Sequence, residues 1–340
     1  MAARQGKQQS HSPRWRWAAV GMTLAVLLLC VVMVHVLEER MSAEIENAGM
    51  QLTPHVNTRN TAQVFMNDRW HAERNIESIL VIGIDEYGSL TTQDAYNNGH
   101  QADFLMLFLR DRDTGRAAAI HLNRDAMTDI TTLGVTGEPT GTRWAQLALS
   151  FNYGDGGAAS SANVVASAER LLYGVDINHY ITVTMDAVPV LNDWAGGVTL
   201  EVLDDFSGVD GSLVRGQLLR LDGKQALAYV RSRKELDDTS NLRRMERQRQ
   251  YASEWVKAAL TRMTDEQSVI DLVMQLDDYY TSNCTVEELT EYARSLSSNP
   301  SLPVYEIEGK AVQGDAFMEF YVDETALQQL VLNLFYAPVE

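Results

Sequence analysis

The pattern of apolar and polar positions separates one long apolar run from many short ones. The long run, residues 17–37, contains 21 residues with His35 as its one ionisable side chain. A helix of that length spans the hydrocarbon core of a bilayer. Four basic residues and no acid precede it, so the positive-inside rule places residues 1–16 in the cytoplasm and the rest outside. We therefore predict a retained single-pass transmembrane anchor. A cleaved signal peptide would have a shorter apolar core and a small-residue cleavage site.

The residues after the anchor divide into a polar lead-in and a folded domain. Residues 38–75 are polar and helix-prone, which predicts a stalk. Three short apolar runs follow at 79–84, 104–109 and 117–122, with turn-forming residues between them. This spacing predicts a sheet that contains a hairpin. The sheet begins a domain that we place at residues 76–263.

Segments with helical and strand-like patterns alternate further along the chain. Helices are predicted at 160–172, 188–194, 224–230, 242–263 and 325–335, and strands at 179–183, 198–203, 304–307 and 317–322. Thr264 with Gln267, and Thr285 with Glu288, match the capping box that opens a helix. The mixture indicates an α/β (α+β-like) fold, with a boundary near residue 264. Residues 264–340 are predicted to form a C-terminal extension whose role the pattern does not indicate.

Charge and cysteine content exclude two classes of site. The chain carries a net charge of -18, and after residue 40 it has 23 bases and 44 acids, a net of -21. Nucleic-acid binding depends on basic surface, so we predict no nucleic-acid partner. Cys30 and Cys284 are the two cysteines, too few and too far apart for a CxxC zinc or redox site.

Basic residues concentrate against this acidic background. Residues 215–249 contain ten bases and five acids, a local balance of +5. Arg244, Arg247 and Gln248 stand at i, i+3 and i+4 of a predicted helix and share a face. Arg231 and Arg233 end the preceding helix. Arginine suits phosphate because its planar group donates hydrogen bonds in pairs. The stretch therefore predicts a pyrophosphate site, and a solvated basic face is the equally weighted alternative.

Carboxylates lie at the ends of two predicted strands. Asp85 ends one strand and Asp103 begins the next, so antiparallel pairing would bring both to one sheet edge. Two carboxylates suit Mg²⁺, which completes its shell with water and phosphate oxygens. The alternative is that both cap turns. Arg124 and Asp125 follow a third strand near the same edge, where a local ion pair is the simpler explanation.

Several short motifs occur in the order typical of one protein family. They are Gly83-Ile84-Asp85, Ala102-Asp103, Asn123-Arg124-Asp125, Tyr153-Gly154, Gly196-Gly197-Val198, residues 221–227 (LDGKQAL), Val230-Arg231-Ser232-Arg233 and Arg244-Met245-Glu246-Arg247-Gln248. From about residue 79 to 260 the chain resembles the LytR–CpsA–Psr family. The resemblance implies an external catalytic domain with a mixed central sheet flanked by helices and a deep apolar groove for a polyprenyl chain.

The resemblance also implies an activity and a set of site residues. The expected reaction transfers a glycopolymer from a polyprenyl-pyrophosphate carrier to peptidoglycan, with Mg²⁺ as cofactor, at the cell membrane. Asp85 and Asp103 are expected to hold the metal. The expected catalytic residues are Arg124, Asp125, Arg231 and Arg233, and the expected pyrophosphate ligands are Arg124, Arg231, Arg233, Arg244, Arg247 and Gln248.

The chain departs from the family pattern at several positions. Tyr87, Gln101 and Gln146 stand where the family often has other residues. Two further functions remain as alternatives. One is a non-catalytic scaffold of the cell envelope that binds polyprenyl phosphate. The other is a transcriptional attenuator, which the acidic domain and the short cytoplasmic tail disfavour.

Overall fold

The computed structural model describes residues 63–92, 96–233, 236, 240–298, 302–314 and 317–339. The predicted anchor, residues 17–37, lies outside them, and among the described residues no helix is long and apolar enough to cross a membrane.

The strands are β1 (Gln63–Met66), β2 (Arg69–Glu73), β3 (Ile76–Ile84), β4 (Ala102–Asp111), β5 (Ala117–His121), β6 (Met127–Leu133), β7 (Pro139–Gln146), β8 (His179–Val183), β9 (Thr199–Glu201), β10 (Leu218–Arg220), β11 (Tyr280–Ser282), β12 (Val304–Glu306), β13 (Gly309–Gln313), β14 (Met318–Val322) and β15 (Tyr336–Pro338). The helices are α1 (Ala158–Leu171), α2 (Ala187–Trp194), α3 (Gly223–Arg231), α4 (Asn241–Leu260), α5 (Glu266–Leu276), α6 (Val286–Ser298) and α7 (Glu324–Phe335), with short 3-10 turns at Leu147–Asn152 and Asp277–Tyr279.

A mixed sheet of six strands forms the centre of the fold, in the order β11-β8-β3-β4-β5-β12. β8 runs parallel to β3, and β12 runs parallel to β5. The other neighbours in this sheet are antiparallel. The predicted mixed central sheet with flanking helices is therefore confirmed.

Helices cover both faces of this sheet, which explains why β3 is apolar at almost every position. Leu80, Ile82 and Ile84 point to one face and pack with α1 and α7. Ile79 points to the other face and packs against Val256 of α4 and neighbouring side chains of α6. Gly83 also lies on that second face, where a Cβ would come within 3.0 Å of Phe104 Cβ. The functional residues lie on this second face.

Capping residues fix where the helices begin. Asp222 caps α3 in a capping box with Gln225. Thr285 and Glu288 exchange the predicted capping-box hydrogen bonds before α6. The box predicted for Thr264 and Gln267 is wrong by one residue, because Asp265 caps α5 through the backbone of Ser268. The side chain that accepts from the third backbone N–H decides the first residue of a helix.

Two predictions about the ends of the domain are corrected. Residues 63–73, assigned to a helix-prone stalk, form the β1–β2 hairpin, and β15 adds to it. The boundary near residue 264 does not separate an appendage, since β11 and β12 belong to the central sheet. The described residues all fall in one compact unit, Thr61–Glu340. Long-range strand pairing, which local patterns do not specify, causes both differences.

Candidate active site

An apolar groove lies between the second face of the central sheet and helices α4, α5 and α6. Strands β3, β4 and β8 form its floor, and side chains such as Trp255, Leu272 and Leu296 contribute to its helical walls. Its cavity volume is about 310 Å³. Polar side chains gather where Gly83 pairs with Phe104, and they are Asp103, Arg231, Arg244 and Gln248. The groove thus joins an apolar slot to a charged mouth.

A β-bulge turns Asp103 toward this mouth. Gly83 pairs with Phe104 and Ile84 pairs with Ala102, so Asp103 has no partner residue on β3. An extra residue of this kind bends the strand and redirects a side chain. Asp103 and Phe104 consequently both line the groove, although they are consecutive residues. Strand alternation alone would have placed them on opposite faces.

The Asp103 carboxylate holds two of the predicted pyrophosphate ligands. Its Oδ1 forms an ion pair with Nη1 of Arg124, and its Oδ2 lies 3.1 Å from Nη1 of Arg244. Arg124 also donates from Nη2 to Oε1 of Gln101 at 2.7 Å. Arg244 donates from Nη2 to Oδ1 of Asn241 at 2.8 Å. A carboxylate on β4 thereby brings together two arginines from distant parts of the chain.

The burial of these arginines makes their positive charge costly. Burial, together with the nearby charge of Arg233, lowers the pKa of Arg244 to about 10. Burial is also the main cause of the lowered pKa of Arg124, to which Arg244 and Arg233 add. Like charges gathered in a buried place are a feature of functional sites that bind the opposite charge. The cluster is therefore better suited to an anion than to solvent, which disfavours the solvated basic face.

Arg231 and Arg233 lie on either side of the end of α3. The Arg231 guanidinium is exposed and lies over the ring of Tyr87, 5.1 Å from its centroid. Arg233 is half-buried, and its charge reaches Arg124 and Arg244. The structure thus brings four of the predicted arginines to one place.

Asp85 lies at the same sheet edge, because β3 and β4 are antiparallel neighbours as expected. Its Oδ1 accepts from the backbone N–H of Gln101 at 2.8 Å, and Nδ1 of His100 lies 3.7 Å away. Its side chain is 41% exposed, so it remains open to a ligand. The negative charge of Asp85 acts against the lowering of the Arg124 pKa, which places it near the cluster.

Asp85 and Asp103, at one edge of the central sheet, suit a Mg²⁺ ion that takes its other ligands from water and substrate phosphate. Among the described residues there is no group of three or more His, Cys, Asp or Glu that could enclose a metal. Mg²⁺ commonly takes one or two carboxylates and completes its octahedron with water and substrate phosphate. The donor set of Asp85 and Asp103 fits that type of site.

The contacts of Arg247 contradict its predicted role as a pyrophosphate ligand. Its side chain is fully buried, and Nη1 lies 2.5 Å from Oδ2 of Asp204. Nε donates to the carbonyl oxygen of Tyr229 at 2.9 Å, and Nη2 donates to that of Ser232. All three nitrogens are therefore occupied within the fold. Arg247 does not line the groove, although Arg244 and Gln248 of the same helix do.

Arg247 and Gln248 instead hold the end of α3 that carries the site arginines. Gln248 donates from Nε2 to the carbonyl oxygen of Val230 at 3.2 Å. Its Oε1 is buried, lines the groove region and has no partner among the described residues. In this orientation Gln248 offers an acceptor to a ligand, so it suits a hydroxyl or a bound water better than a phosphate oxygen.

Asp125 forms an ion pair with Arg124 and is not among the residues that line the groove. It is buried, and its Oδ1 lies 3.3 Å from Nε of Arg124. The same Oδ1 accepts from Nε2 of Gln146 at 3.2 Å, and Gln146 also donates to the carbonyl oxygen of Met318 at 2.6 Å. Asp125 thus contacts Arg124 and Gln146, and its catalytic role stays a prediction.

Sequence reasoning missed several residues that shape the site. Asp204 carries no motif, yet it pairs with both Arg243 and Arg247. Gln101 and Gln146, which appeared only as departures from the family pattern, contact Arg124 and Asp125. Their contacts join segments far apart along the chain. For Gln101 and Gln146, the departure from the family pattern was the sequence signal that could have identified them.

The chain matches a family of known proteins over most of its length. The family model of the LytR_cpsA_psr family matches residues 39–335. The chain belongs to this family. Among its LytR_cpsA_psr relatives is the polyisoprenyl-teichoic acid--peptidoglycan teichoic acid transferase TagU of Bacillus mycoides (strain KBAB4). It is 26% identical over 261 residues, which cover 76% of this chain and 77% of the relative.

Solved structures share the fold. The crystal structure of TagV from B. subtilis superposes with a TM-score of 0.60 at 20% identity and covers 77% of this chain and 96% of that one. The structure of TagT bound to LI-WTA superposes with a TM-score of 0.59 at 18% identity, covering 76% and 89% of the two chains. At these identities the likeness establishes a common fold.

Proposed function

We propose that this chain transfers a glycopolymer from a polyprenyl-pyrophosphate carrier to peptidoglycan, anchored in the cell membrane by residues 17–37. The observation that carries the proposal is the buried arginine cluster at the mouth of an apolar groove. A groove of this kind suits an apolar chain, and the arginines suit the pyrophosphate to which the chain is attached. The family and the transferase names of its relatives support the same reaction class.

The reaction requires charge neutralisation more than covalent help from the protein. An acceptor hydroxyl oxygen attacks the phosphorus atom that bears the glycan, a P–O bond forms, and the hydroxyl proton passes to an oxygen of the departing polyprenyl phosphate. The bond from that phosphorus to the bridging oxygen breaks, and polyprenyl phosphate leaves. Negative charge develops on the leaving phosphate. Arg124, Arg231, Arg233 and Arg244 would stabilise that charge.

Asp103 has a second task before substrate binds. It neutralises Arg124 and Arg244 through its two carboxylate oxygens, which keeps the buried cluster from repelling itself. Mg²⁺ held by Asp85 and Asp103 would neutralise further charge on the phosphate oxygens. The arginines would then turn their donors from Asp103 to the pyrophosphate.

A transfer assay tests the proposal. The full-length protein in detergent is incubated with polyprenyl-pyrophosphoryl glycan, Mg²⁺ and a peptidoglycan oligomer, and the linked product is measured. We expect product, and a loss of about 100-fold or more in Arg244→Ala, the scale for removing one group that stabilises a transition-state charge. Retention of the lipid with no product in the parent protein would instead support the non-catalytic scaffold. Unchanged turnover in Arg244→Ala would rule out the site.

A further inference from the structure

Tyr87 is a large exposed side chain in a backbone segment that is firmly held. Its side chain is 51% exposed, next to the buried Glu86. The carbonyl oxygen of Glu86 accepts from the Met185 N–H at 2.9 Å. Gly88 donates from its N–H to Oδ2 of Asp186 at 2.7 Å, and its carbonyl oxygen accepts from Oγ1 of Thr184 at 3.0 Å. The ring is thus placed by backbone contacts on both sides.

The ring of Tyr87 lies against Arg231 at the mouth of the groove. The guanidinium carbon is 5.1 Å from the ring centroid, within the range of a cation–π interaction. No described carboxylate forms an ion pair with Arg231, whereas Arg124 and Arg244 both pair with Asp103. A ring face therefore holds Arg231, whereas a carboxylate holds Arg124 and Arg244.

A carboxylate contact and a ring contact differ in whether they leave the N–H donors of the guanidinium available for a ligand. A carboxylate occupies the N–H donors of a guanidinium, which must exchange partners before they bind phosphate. A ring face attracts the positive charge and leaves the in-plane N–H donors available. We infer that Tyr87 is a positioning residue that presents Arg231 to the pyrophosphate of the lipid carrier. The inference rests on the proposed function, because it assumes that the groove mouth binds pyrophosphate.

A double-mutant cycle on ligand affinity tests this inference. The affinity of the full-length protein in detergent for farnesyl pyrophosphate is measured by calorimetry for Tyr87→Ala, Arg231→Ala and the double variant. A cation–π contact at an exposed site corresponds to a loss of about twofold to fivefold in affinity for Tyr87→Ala. In the Arg231→Ala background we expect no further loss, because the ring acts through the arginine.

Three control variants separate positioning from other effects. Tyr87→Phe keeps the ring face and is expected to retain the parent affinity, as is Tyr87→Trp. Tyr305→Ala removes an exposed tyrosine outside the groove and should change nothing. In the transfer assay Tyr87→Ala should lower kcat/KM for the lipid-linked donor by the same twofold to fivefold, and Tyr87→Phe should retain the parent value.

The possible failures are distinguishable. Equal losses from Tyr87→Ala in both backgrounds would overturn the inference, since the ring would then act independently of Arg231. A loss in Tyr87→Phe as large as that in Tyr87→Ala would also overturn it, because the hydroxyl group would carry the effect. If Arg231→Ala leaves the affinity unchanged, the pyrophosphate site itself is misassigned and the inference falls with it.

Discussion

Nη1 of Arg244 lies 3.1 Å from Oδ2 of Asp103, which joins α4 to a bulge in β4 across 141 residues of sequence. This contact brings the arginine-rich segment, residues 215–249, to the acidic edge of the sheet. It also makes Asp103 a structural residue as well as a proposed metal ligand. The two roles can be separated by comparison with Asp85, which is more exposed.

Asp103→Asn should reduce both stability and activity. Removal of the carboxylate leaves Arg124 and Arg244 buried without their counter-charge, a change that costs about 3–5 kcal/mol in other proteins. Urea unfolding measures this loss. Asp85→Asn is the matched control, since an exposed carboxylate should cost less than about 0.5 kcal/mol. Both variants should lose transfer under the proposed function. Normal turnover in Asp85→Asn would exclude Asp85 from metal binding.

Arg247→Met tests the correction made to the predicted ligand set. The substitution leaves Oδ2 of Asp204 and two backbone carbonyl oxygens without their donor. We expect the free energy of unfolding to fall by about 3 kcal/mol. Arg231→Met, at an exposed arginine of the same cluster, should change it by less than about 0.5 kcal/mol. Equal stability of the two variants would contradict the buried network around Asp204.

Ala252→Trp tests whether the groove takes an apolar chain. Ala252 lines the groove on α4, and a tryptophan there would fill part of it. Exclusion of even two methylene groups costs about 1.6 kcal/mol, so the affinity for farnesyl pyrophosphate should fall more than tenfold. The affinity for inorganic pyrophosphate should not change, because the arginines are untouched. Parallel losses for both ligands would mean that the substitution distorts the mouth. Lys257→Trp, at an exposed position of the same helix, is the control.

His121→Gln should reduce the loss of unfolding free energy that occurs as the pH falls below 7. Burial, together with the charges of Arg249 and Arg244, lowers the pKa of His121 from 6.5 to about 3. Between these pH values the unfolded chain binds a proton that the folded chain does not. Stability therefore falls as the pH falls, by up to about 1.4 kcal/mol per pH unit. Urea unfolding from pH 7 to pH 4 should show a shallower slope in the variant, and equal slopes would contradict a neutral buried histidine.

Local sequence patterns were sufficient for most individual elements. The strand at His179–Val183 has the predicted bounds, and α7 begins within one residue of its prediction. Thr285 was recognised as a cap because a cap depends on residues three positions apart. Such contacts are local, so the order of residues specifies them.

The sequence alone also selected the residues that we propose for the central site. Asp85, Asp103, Arg124, Arg231, Arg233 and Arg244 were all selected from motifs and charge, and they meet at one sheet edge. Arginine was informative because residues 215–249 carry ten of the chain's 28 basic residues against an acidic background. The predicted anchor at residues 17–37 lies outside the described residues and stays a prediction.

Tertiary structure alone decided how the site residues are used. The bulge at Asp103 turns a carboxylate into the groove, and Asp204 takes Arg247 into the core. Arg244 and Arg247 stand three residues apart on one helix and are both buried, yet Arg244 lines the groove and Arg247 does not. Residue order specifies which side chains share a helix face, but partners from distant segments determine which charges are neutralised inside the fold. That pairing depends on long-range packing, and no local pattern encodes it.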